Sequence, residues 1–167
     1  RGNFKETDPV LPLTALGKAK LSGENFIRGK SLNYVIIRSS PLYGLSEGKH
    51  LNFLERVRDH LERGQRMDLN PREVHAFAPV AGLVDLVQRV LESNIRNKVI
   101  HYGGLSKLSW FDFGRAFAKR FNYNPNILLP TKTEFPQFYD YSLNSTNAVN
   151  SLKIRPLTLD EGFDLFE

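Results

Sequence analysis

The chain has 167 residues, 41% hydrophobic and 25% charged, a composition typical of one soluble globular domain and not of a disordered segment. It contains no cysteine, which excludes disulfide bonds and thiolate sites; we expect a reducing, cytoplasmic compartment. Lysine and arginine outnumber aspartate and glutamate by 23 to 18 and are scattered among the acids, which favours a small anionic ligand over a nucleic acid. No apolar run approaches the roughly 20 residues of a membrane helix.

Helices alternating with short buried strands are predicted along the chain, which indicates an α/β fold. A helix over Ala15–Arg28 carries small and apolar residues suited to packing on a sheet, and Thr14 is its expected N-cap. Segment 33–40 holds four consecutive apolar residues, typical of a strand buried on both faces of a parallel sheet. Further helices are predicted over 50–63, 82–92, 109–121 and from a capping box at Thr158, and further strands over 67–69, 99–102 and 127–129. Segment 74–80 and the stretch after the last strand are predicted as irregular.

The familiar short motifs of catalysis and nucleotide binding are missing from these residues. There is no G-x-S-x-G, no Walker loop and no G-x-G-x-x-G, and the four histidines lack the spacing of a metal site. His60 is expected to be solvated on a charged helix face. His101, inside a predicted strand, is expected to be a buried histidine with its hydrogen bonds satisfied. We therefore predict no metal site.

The most informative stretch is segment 12–44, which joins the first helix to the first strand. The strand ends in Arg38, Ser39, Ser40 and Pro41, and ligands of open α/β sheets bind at the carboxyl ends of strands. Lys20 on the preceding helix would reach a ribose or a phosphate there. The alternative is an ordinary surface lysine.

A family resemblance rests on the same stretch. It contains P-x-x-x-x-G-x-x-K-x-x-G-E, followed by YVIIR at 34–38 and LYG at 42–44. This order resembles the extended short-chain dehydrogenase/reductases of the NAD-dependent epimerase/dehydratase superfamily, and most of all the dTDP-4-dehydrorhamnose reductase branch. The resemblance continues in order over nearly the whole chain, through segments 2–8, 50–54, 80–90, 102–104, 109–121 and 142–162.

The resemblance implies the fold and its division. It implies the C-terminal part of a Rossmann-like doubly wound parallel sheet together with a small α/β substrate-binding lobe. Residues 1–44 would end the NAD(P)-binding domain, and residues 45–167 would form the substrate lobe with interleaved Rossmann elements. The family's glycine loop and its catalytic serine or threonine would precede this segment. A half-fold of this kind would expose a sheet edge and helix faces.

The resemblance also implies a cofactor, NAD or NADP, and a catalytic pair. In the family's Y-x-x-x-K motif the tyrosine is the general acid/base, and the lysine lowers its pKa and holds the nicotinamide ribose. Here Leu16 occupies the tyrosine position and Lys20 the lysine position. Ser40 and Pro41 match positions beside the nicotinamide; the alternative is that they only terminate the strand.

Substrate contacts carry over at two positions. Asn52 matches a residue that faces the sugar nucleotide in relatives, and Arg155 would close over the substrate. The alternatives are a helix N-terminal residue and a solvated arginine. Ala81 replaces the acid that the family usually carries in its V-x-D-L-A helix.

Two functions from different classes follow. The first is an NAD(P)-dependent sugar-nucleotide reductase or epimerase. Leu16 argues against turnover by such an enzyme, because leucine has no proton to give. The second is a non-catalytic nucleotide- or sugar-nucleotide-binding regulatory subunit on the same scaffold, as in the regulatory subunit of methionine adenosyltransferase, which also resembles this family. The expected partners are a sugar nucleotide and a second copy or another protein, with neither nucleic acid nor membrane.

Overall fold

The computed structural model describes residues 2–30, 33–46, 48, 50–132 and 137–166. The helices there are α1 (Ala15–Lys30), α2 (Phe53–Glu62), α3 (Val80–Glu92), α4 (Trp110–Arg120), α5 (Thr146–Leu152) and α6 (Leu159–Asp164). The strands are β1 (Val35–Ser39), β2 (Leu42–Tyr43), β3 (Met67–Leu69), β4 (Glu73–His75), β5 (Ala78–Pro79), β6 (Lys98–Tyr102), β7 (Leu108–Ser109), β8 (Leu128–Pro130) and β9 (Tyr139–Asp140). The predicted α/β class is confirmed. None of the described helices is long and apolar enough to cross a membrane.

The strands pair mainly in parallel. β1 lies parallel to β6, with a register that runs from Val35 opposite Lys98 to Ser39 opposite Tyr102. β2 with β5, and β3 with β8, form two more parallel pairs. In the remaining sheet, β4 lies between antiparallel β7 and parallel β9. The expectation that the first strand is buried on both faces holds only in part, because β1 has one buried residue, Ile36, and half-buried neighbours.

Local capping sets where several helices begin. Thr14 accepts a hydrogen bond from the amide of Gly17 at 3.0 Å, as predicted for the N-cap of α1. Ser109 caps α4 by accepting from the amide of Asp112 at 3.0 Å. Thr158 begins α6 with the predicted capping box. These signals lie within three residues of the helix start, so sequence alone identifies them.

An aromatic cluster forms the larger of two hydrophobic cores. The ring of Phe113 on α4 lies 5.1 Å from that of Tyr43, 4.3 Å from Phe77 and 5.5 Å from Phe163, measured between centroids. This core joins α2, α4 and α6. The smaller core packs α3 and α5 against the β1–β6 pair through Leu86, Ile100, Tyr102, Ala148 and Leu152.

Three sequence predictions need correction. The small-residue stripe of α1 was expected to pack on a sheet, but no residue of α1 is buried, and a methyl group at Gly23 would meet no described atom within 4 Å. Small side chains allow another element to pack closely against a helix, but they do not determine whether such an element is present. Segment 74–80, predicted as irregular, contains the end of β4 and all of β5, and α3 begins at Val80. The polar stretch after β8 includes the helix α5, which packing of Ala148 and Leu152 stabilises.

Candidate functional site

A cleft of about 500 Å³ opens at the carboxyl end of β1. We call it the β1-end cleft. The residues that line it are Ser39, Ser40, Pro41, Leu42, His75, Tyr141 and Leu143. Its position is the one at which open parallel sheets bind ligands, because strand termini and the following loops leave a crevice there. The structure therefore places the predicted Ser40 and Pro41 in a cavity wall.

Two buried polar atoms in residues of this cleft have no hydrogen-bond partner in the part of the chain that the structure describes. Ser40 is 4% exposed, and its hydroxyl oxygen Oγ has no hydrogen-bond partner among the described residues. The same holds for the ring nitrogen Nε2 of His75. Most buried polar groups in folded proteins are paired, so two atoms without a partner among the described residues are unusual in one cleft lining.

Aromatic rings hold the imidazole of His75 in place. It stacks on Tyr141 with centroids 5.4 Å apart and meets Trp110 and Phe77 edge-on at 5.3 and 5.7 Å. Burial lowers the pKa of His75 below its usual value, while the nearby carboxylates of Glu73 and Asp140 act weakly in the other direction. The ring is consequently neutral near pH 7.

A second cleft of about 470 Å³ adjoins the first and shares Tyr141 and Leu143 with it. Segment 4–12 forms one wall, and Arg38 and His101 belong to the lining.

The charge of Arg38 in this second cleft is already neutralised. Its guanidinium donates to both carboxylate oxygens of Glu24, at 2.8 and 2.7 Å. These bonds hold the pKa of Glu24 below its ordinary value, although burial acts in the opposite direction. The pair also links α1 to β1.

His101 is the satisfied buried histidine that the sequence predicted. It is 2% exposed, and its Nδ1 donates to the carbonyl of Phe4 at 2.9 Å. Its backbone amide donates to Glu6 at 2.9 Å. The Nδ1 atom of His60 donates to the carbonyl of Arg56 on its own helix, at 2.9 Å, in an exposed contact. No group of three or more His, Asp or Glu side chains within the described ranges is arranged to hold a metal ion.

Leu16 and Lys20 lie one turn apart on α1, as their spacing predicts. Leu16 is 69% exposed, and Lys20 is exposed as well. Neither residue is among those that line the β1-end cleft. The structure thus leaves the role of Lys20 as a prediction.

Asn52 and Arg155 both have structural partners. Asn52 is the N-cap of α2: its Oδ1 accepts from the amide of Glu55 at 3.0 Å, and its Nδ2 donates to the carbonyl of Gly44 at 2.8 Å. Arg155 is exposed and donates from Nη1 to Glu161 at 2.9 Å. Neither lines the β1-end cleft, so the contacts with substrate stay predictions.

Sequence reasoning missed two residues of this site, His75 and Tyr141. His75 lies in a stretch that was predicted as irregular, and Tyr141 follows a two-residue strand in a polar segment. Neither residue lies in a local sequence pattern that identifies it. Each becomes a candidate only because the fold places both of them with Ser40 in the lining of one cleft.

Comparison with known proteins identifies relatives along the chain. The model of the RmlD substrate-binding domain family matches residues 1–155. The chain is 26% identical over 156 residues to the spore coat polysaccharide biosynthesis protein SpsK of Bacillus subtilis, covering 92% of this chain and 53% of SpsK. It is 28% identical over 119 residues to the dTDP-4-dehydrorhamnose reductase of Aggregatibacter actinomycetemcomitans, covering 69% of this chain and 40% of that protein. The chain spans about half the length of the curated relatives it matches.

Solved structures with the same fold agree with these matches. A dTDP-glucose 4,6-dehydratase from Bacillus anthracis in complex with NAD superimposes with a TM-score of 0.84 at 16% identity, covering 99% of this chain and 55% of that chain. A dTDP-4-dehydrorhamnose reductase from the same organism, in complex with NADP, gives a TM-score of 0.80 at 23% identity, covering 97% of this chain and 57% of that chain. At these identities the likeness shows the fold, and the Rossmann-like class predicted from sequence is confirmed.

Proposed function

The chain belongs to the RmlD substrate-binding domain family, and from that premise we propose that it binds a nucleotide sugar within an NAD(P)-dependent protein of the reductase or epimerase type. The observation that carries the proposal is the family match over residues 1–155. The β1-end cleft supports it, because the cleft lies where the fold class binds ligands and two of its residues carry buried polar atoms without a partner among the described residues.

The proposed cofactor is NAD or NADP, as in the solved relatives. When bound, a reduced nicotinamide supplies a hydride to the keto carbon of a sugar. The buried hydroxyl of Ser40, without a partner among the described residues, fits a polar group placed at the end of β1. Ser40 and Pro41 would contact the nicotinamide, and the ammonium group of Lys20 would hold the ribose.

Proton transfer is the step for which this chain lacks the family's group. Leu16 stands at the tyrosine position and has no titratable atom. Tyr43 is no substitute, because its hydroxyl is buried in the aromatic core, and burial raises its pKa well above the usual value. We therefore propose ligand binding with little or no turnover by the tyrosine mechanism.

This loss favours a second candidate function, a non-catalytic regulatory subunit. Such a protein would retain the cofactor and nucleotide-sugar sites and act on a partner protein. The substitution at Leu16 is the specific observation in its favour, since binding needs Lys20, Ser40 and the cleft but not the missing proton donor.

The test is restoration of the tyrosine in the full-length protein that carries this chain. NADPH oxidation is measured with dTDP-4-dehydrorhamnose for the wild type, Leu16→Tyr and the control Leu13→Tyr, which alters an exposed leucine just before α1. General acid/base groups typically contribute about 10²–10⁴-fold, so Leu16→Tyr is expected to raise turnover by at least about 100-fold and the control to leave it unchanged.

The other outcomes separate the candidates. Tight NADPH and dTDP-glucose binding with no turnover in either variant would contradict the latent reductase and favour the regulatory subunit. Failure of the wild type to bind NADPH or any nucleotide sugar in calorimetry would refute both.

A further inference from the structure

A cleft of about 300 Å³ opens at the amino end of β6, whereas the β1-end cleft lies near the carboxyl end of the same parallel pair. We call it the β6-start cleft. The strands pair over five residues, so the two ends lie about 13 Å apart along β6. Three parts of the chain line the β6-start cleft: segment 94–96 after α3, Lys98 and Ile100 of β6, and Asn147 and Ser151 of α5. Its volume is at the lower end of the range for small-molecule sites.

The charges in this lining are all positive. Arg96 and Lys98 are both exposed, and none of the residues that line the cleft is acidic. Neither cation forms an ion pair with a carboxylate in the part of the chain that the structure describes. Other surface arginines do, as Arg89 does with Asp85 at 3.0 Å. The β6-start cleft therefore carries two positive charges whose counter-ion is not a described side chain.

Backbone contacts hold the guanidinium of Arg96. Its Nη1 donates to the carbonyls of Ser93 and Ile95, at 3.0 and 2.7 Å. Its Nε and Nη2 have no hydrogen-bond partner among the described residues. The turn is itself anchored, because the amide of Asn97 donates to the carbonyl of Tyr34 at 2.7 Å. A guanidinium held in this way loses little conformational freedom when it binds an anion.

The helix α5 adds neutral polar side chains to the lining. Asn147 and Ser151 are four residues apart and therefore lie on one helix face, where the Ser151 hydroxyl donates to the Asn147 carbonyl at 2.6 Å. Ala148 and Leu152 are buried in the smaller core, which fixes the orientation of the polar face. The side-chain amides of Asn147 and Asn94 make no hydrogen bond to any described residue, and each can donate two N–H groups.

Hydrogen-bond donors dominate this lining, and they indicate the chemical class of the ligand. An ammonium group, a guanidinium group and two carboxamides are best matched by a group with many acceptor oxygens and more than one negative charge. The phosphate of a monoester has three such oxygens and a charge near −2, whereas a carboxylate has two oxygens and a single charge. Arginine and lysine both bind phosphate well, arginine through its planar fork and lysine as a point charge. A cleft of this volume also has room for the organic part of the ester.

We propose that the β6-start cleft binds the phosphate group of a small phosphomonoester, with Arg96 and Lys98 pairing its charge and Asn94 and Asn147 donating to its oxygens. This site goes beyond the proposed function, because it uses neither the β1-end cleft nor Lys20.

The experiment measures how fast Lys98 is acetylated by sulfosuccinimidyl acetate in the full-length protein, with peptide mass spectrometry as the readout. The probes are glycerol 3-phosphate, inorganic phosphate and acetate, each titrated against sodium chloride of equal ionic strength. Lys119, an exposed lysine of α4, is the internal control. Glycerol 3-phosphate should protect Lys98 saturably, slowing its acetylation about tenfold at about ten times the Kd, and should leave Lys119 unchanged.

Variants locate the binding groups. Arg96→Gln should raise the Kd obtained from this protection about tenfold or more, because it removes a charged hydrogen-bond donor. Asn147→Ala should raise it about threefold, and it leaves the turn around Arg96 intact. The control Arg115→Gln changes an exposed arginine of α4 and should not alter the Kd.

Three results would overturn the assignment. Absence of saturable protection at Lys98 with every probe would mean that the cleft binds no anion. Equal protection by acetate and glycerol 3-phosphate, or equal slowing at Lys119, would mean that the cations respond to negative charge in general. Tighter binding of inorganic phosphate than of glycerol 3-phosphate would refute the ester as the ligand. Because the readout is the reactivity of one lysine, binding of phosphate elsewhere on the protein does not change it.

Discussion

Replacing Gly162 with alanine is expected to destabilise the aromatic core through one identifiable collision. Gly162 lies on α6, and a methyl group there would overlap the Tyr43 hydroxyl and approach its Cζ atom to 2.8 Å. Tyr43 has little room to move, because its ring lies 5.1 Å from Phe113 and 5.8 Å from Phe163. The hydroxyl itself has no partner among the described residues.

The magnitude for Gly162→Ala follows from two contributions. Overpacking a core destabilises the fold by about 1–3 kcal/mol, whereas alanine in place of glycine within a helix stabilises it by up to about 1 kcal/mol. Gly162→Ala is therefore expected to lower the free energy of unfolding by about 1–2 kcal/mol. Tyr43→Phe alone should raise it by about 1 kcal/mol, because it removes a buried hydroxyl that pays a desolvation cost. Relative to Gly162→Ala, the double variant should recover more than this value of about 1 kcal/mol, because removal of the overlapping atom also relieves part of the overpacking cost.

Urea denaturation, followed by tryptophan fluorescence and circular dichroism, measures the four free energies of this cycle. Gly23→Ala on α1 is the matched control: no described atom lies within 4 Å of the added methyl, so only the helix-propensity gain is expected. If Gly162→Ala costs the same in the wild-type and Tyr43→Phe backgrounds, the collision is not the cause and the reasoning is refuted.

Three further perturbations test other contacts. Arg38 holds the pKa of Glu24 below its ordinary 4.5, so the pair stabilises the fold above that pH and loses this contribution as the pH falls through the lowered pKa. Glu24→Gln should therefore reduce the loss of thermal stability measured between pH 5 and pH 3, by less than about 1 kcal/mol. Ser109→Ala removes the N-cap of α4 and should cost about 1 kcal/mol in thermal unfolding, and an unchanged midpoint would contradict the capping role. Phe113→Ala empties the centre of the larger core and should cost about 3–5 kcal/mol in chemical denaturation; a loss below about 1 kcal/mol would show that this core is not what holds α4.

The family and the fold class were predictable because their signals lie in ordered, closely spaced residues. The spacing from Gly17 through Lys20 to Glu24 carried the resemblance, which the family match over residues 1–155 confirms. The apolar run of β1 correctly indicated a parallel strand, which pairs with β6.

The helix α5 shows where local pattern was insufficient. Its sequence, TNAVNSL, is rich in residues that favour turns, and only two apolar side chains reach the core. These two, Ala148 and Leu152, pack with α3 and β6, so tertiary contact supplies the stability that local propensity lacks.

By itself, the sequence determined the starts of α1, α4 and α6, the α/β alternation, the parallel character of the first strand and the family, because each signal lies in residues near one another along the chain. Only the tertiary structure decided two other matters. It left the stripe of α1 without a buried residue, since a stripe cannot specify the surface that faces it. It also joined Ser40, His75 and Tyr141 in one cleft, because the pairing of β4 with β9 and the end of β1 bring together residues that lie 35 to 101 positions apart.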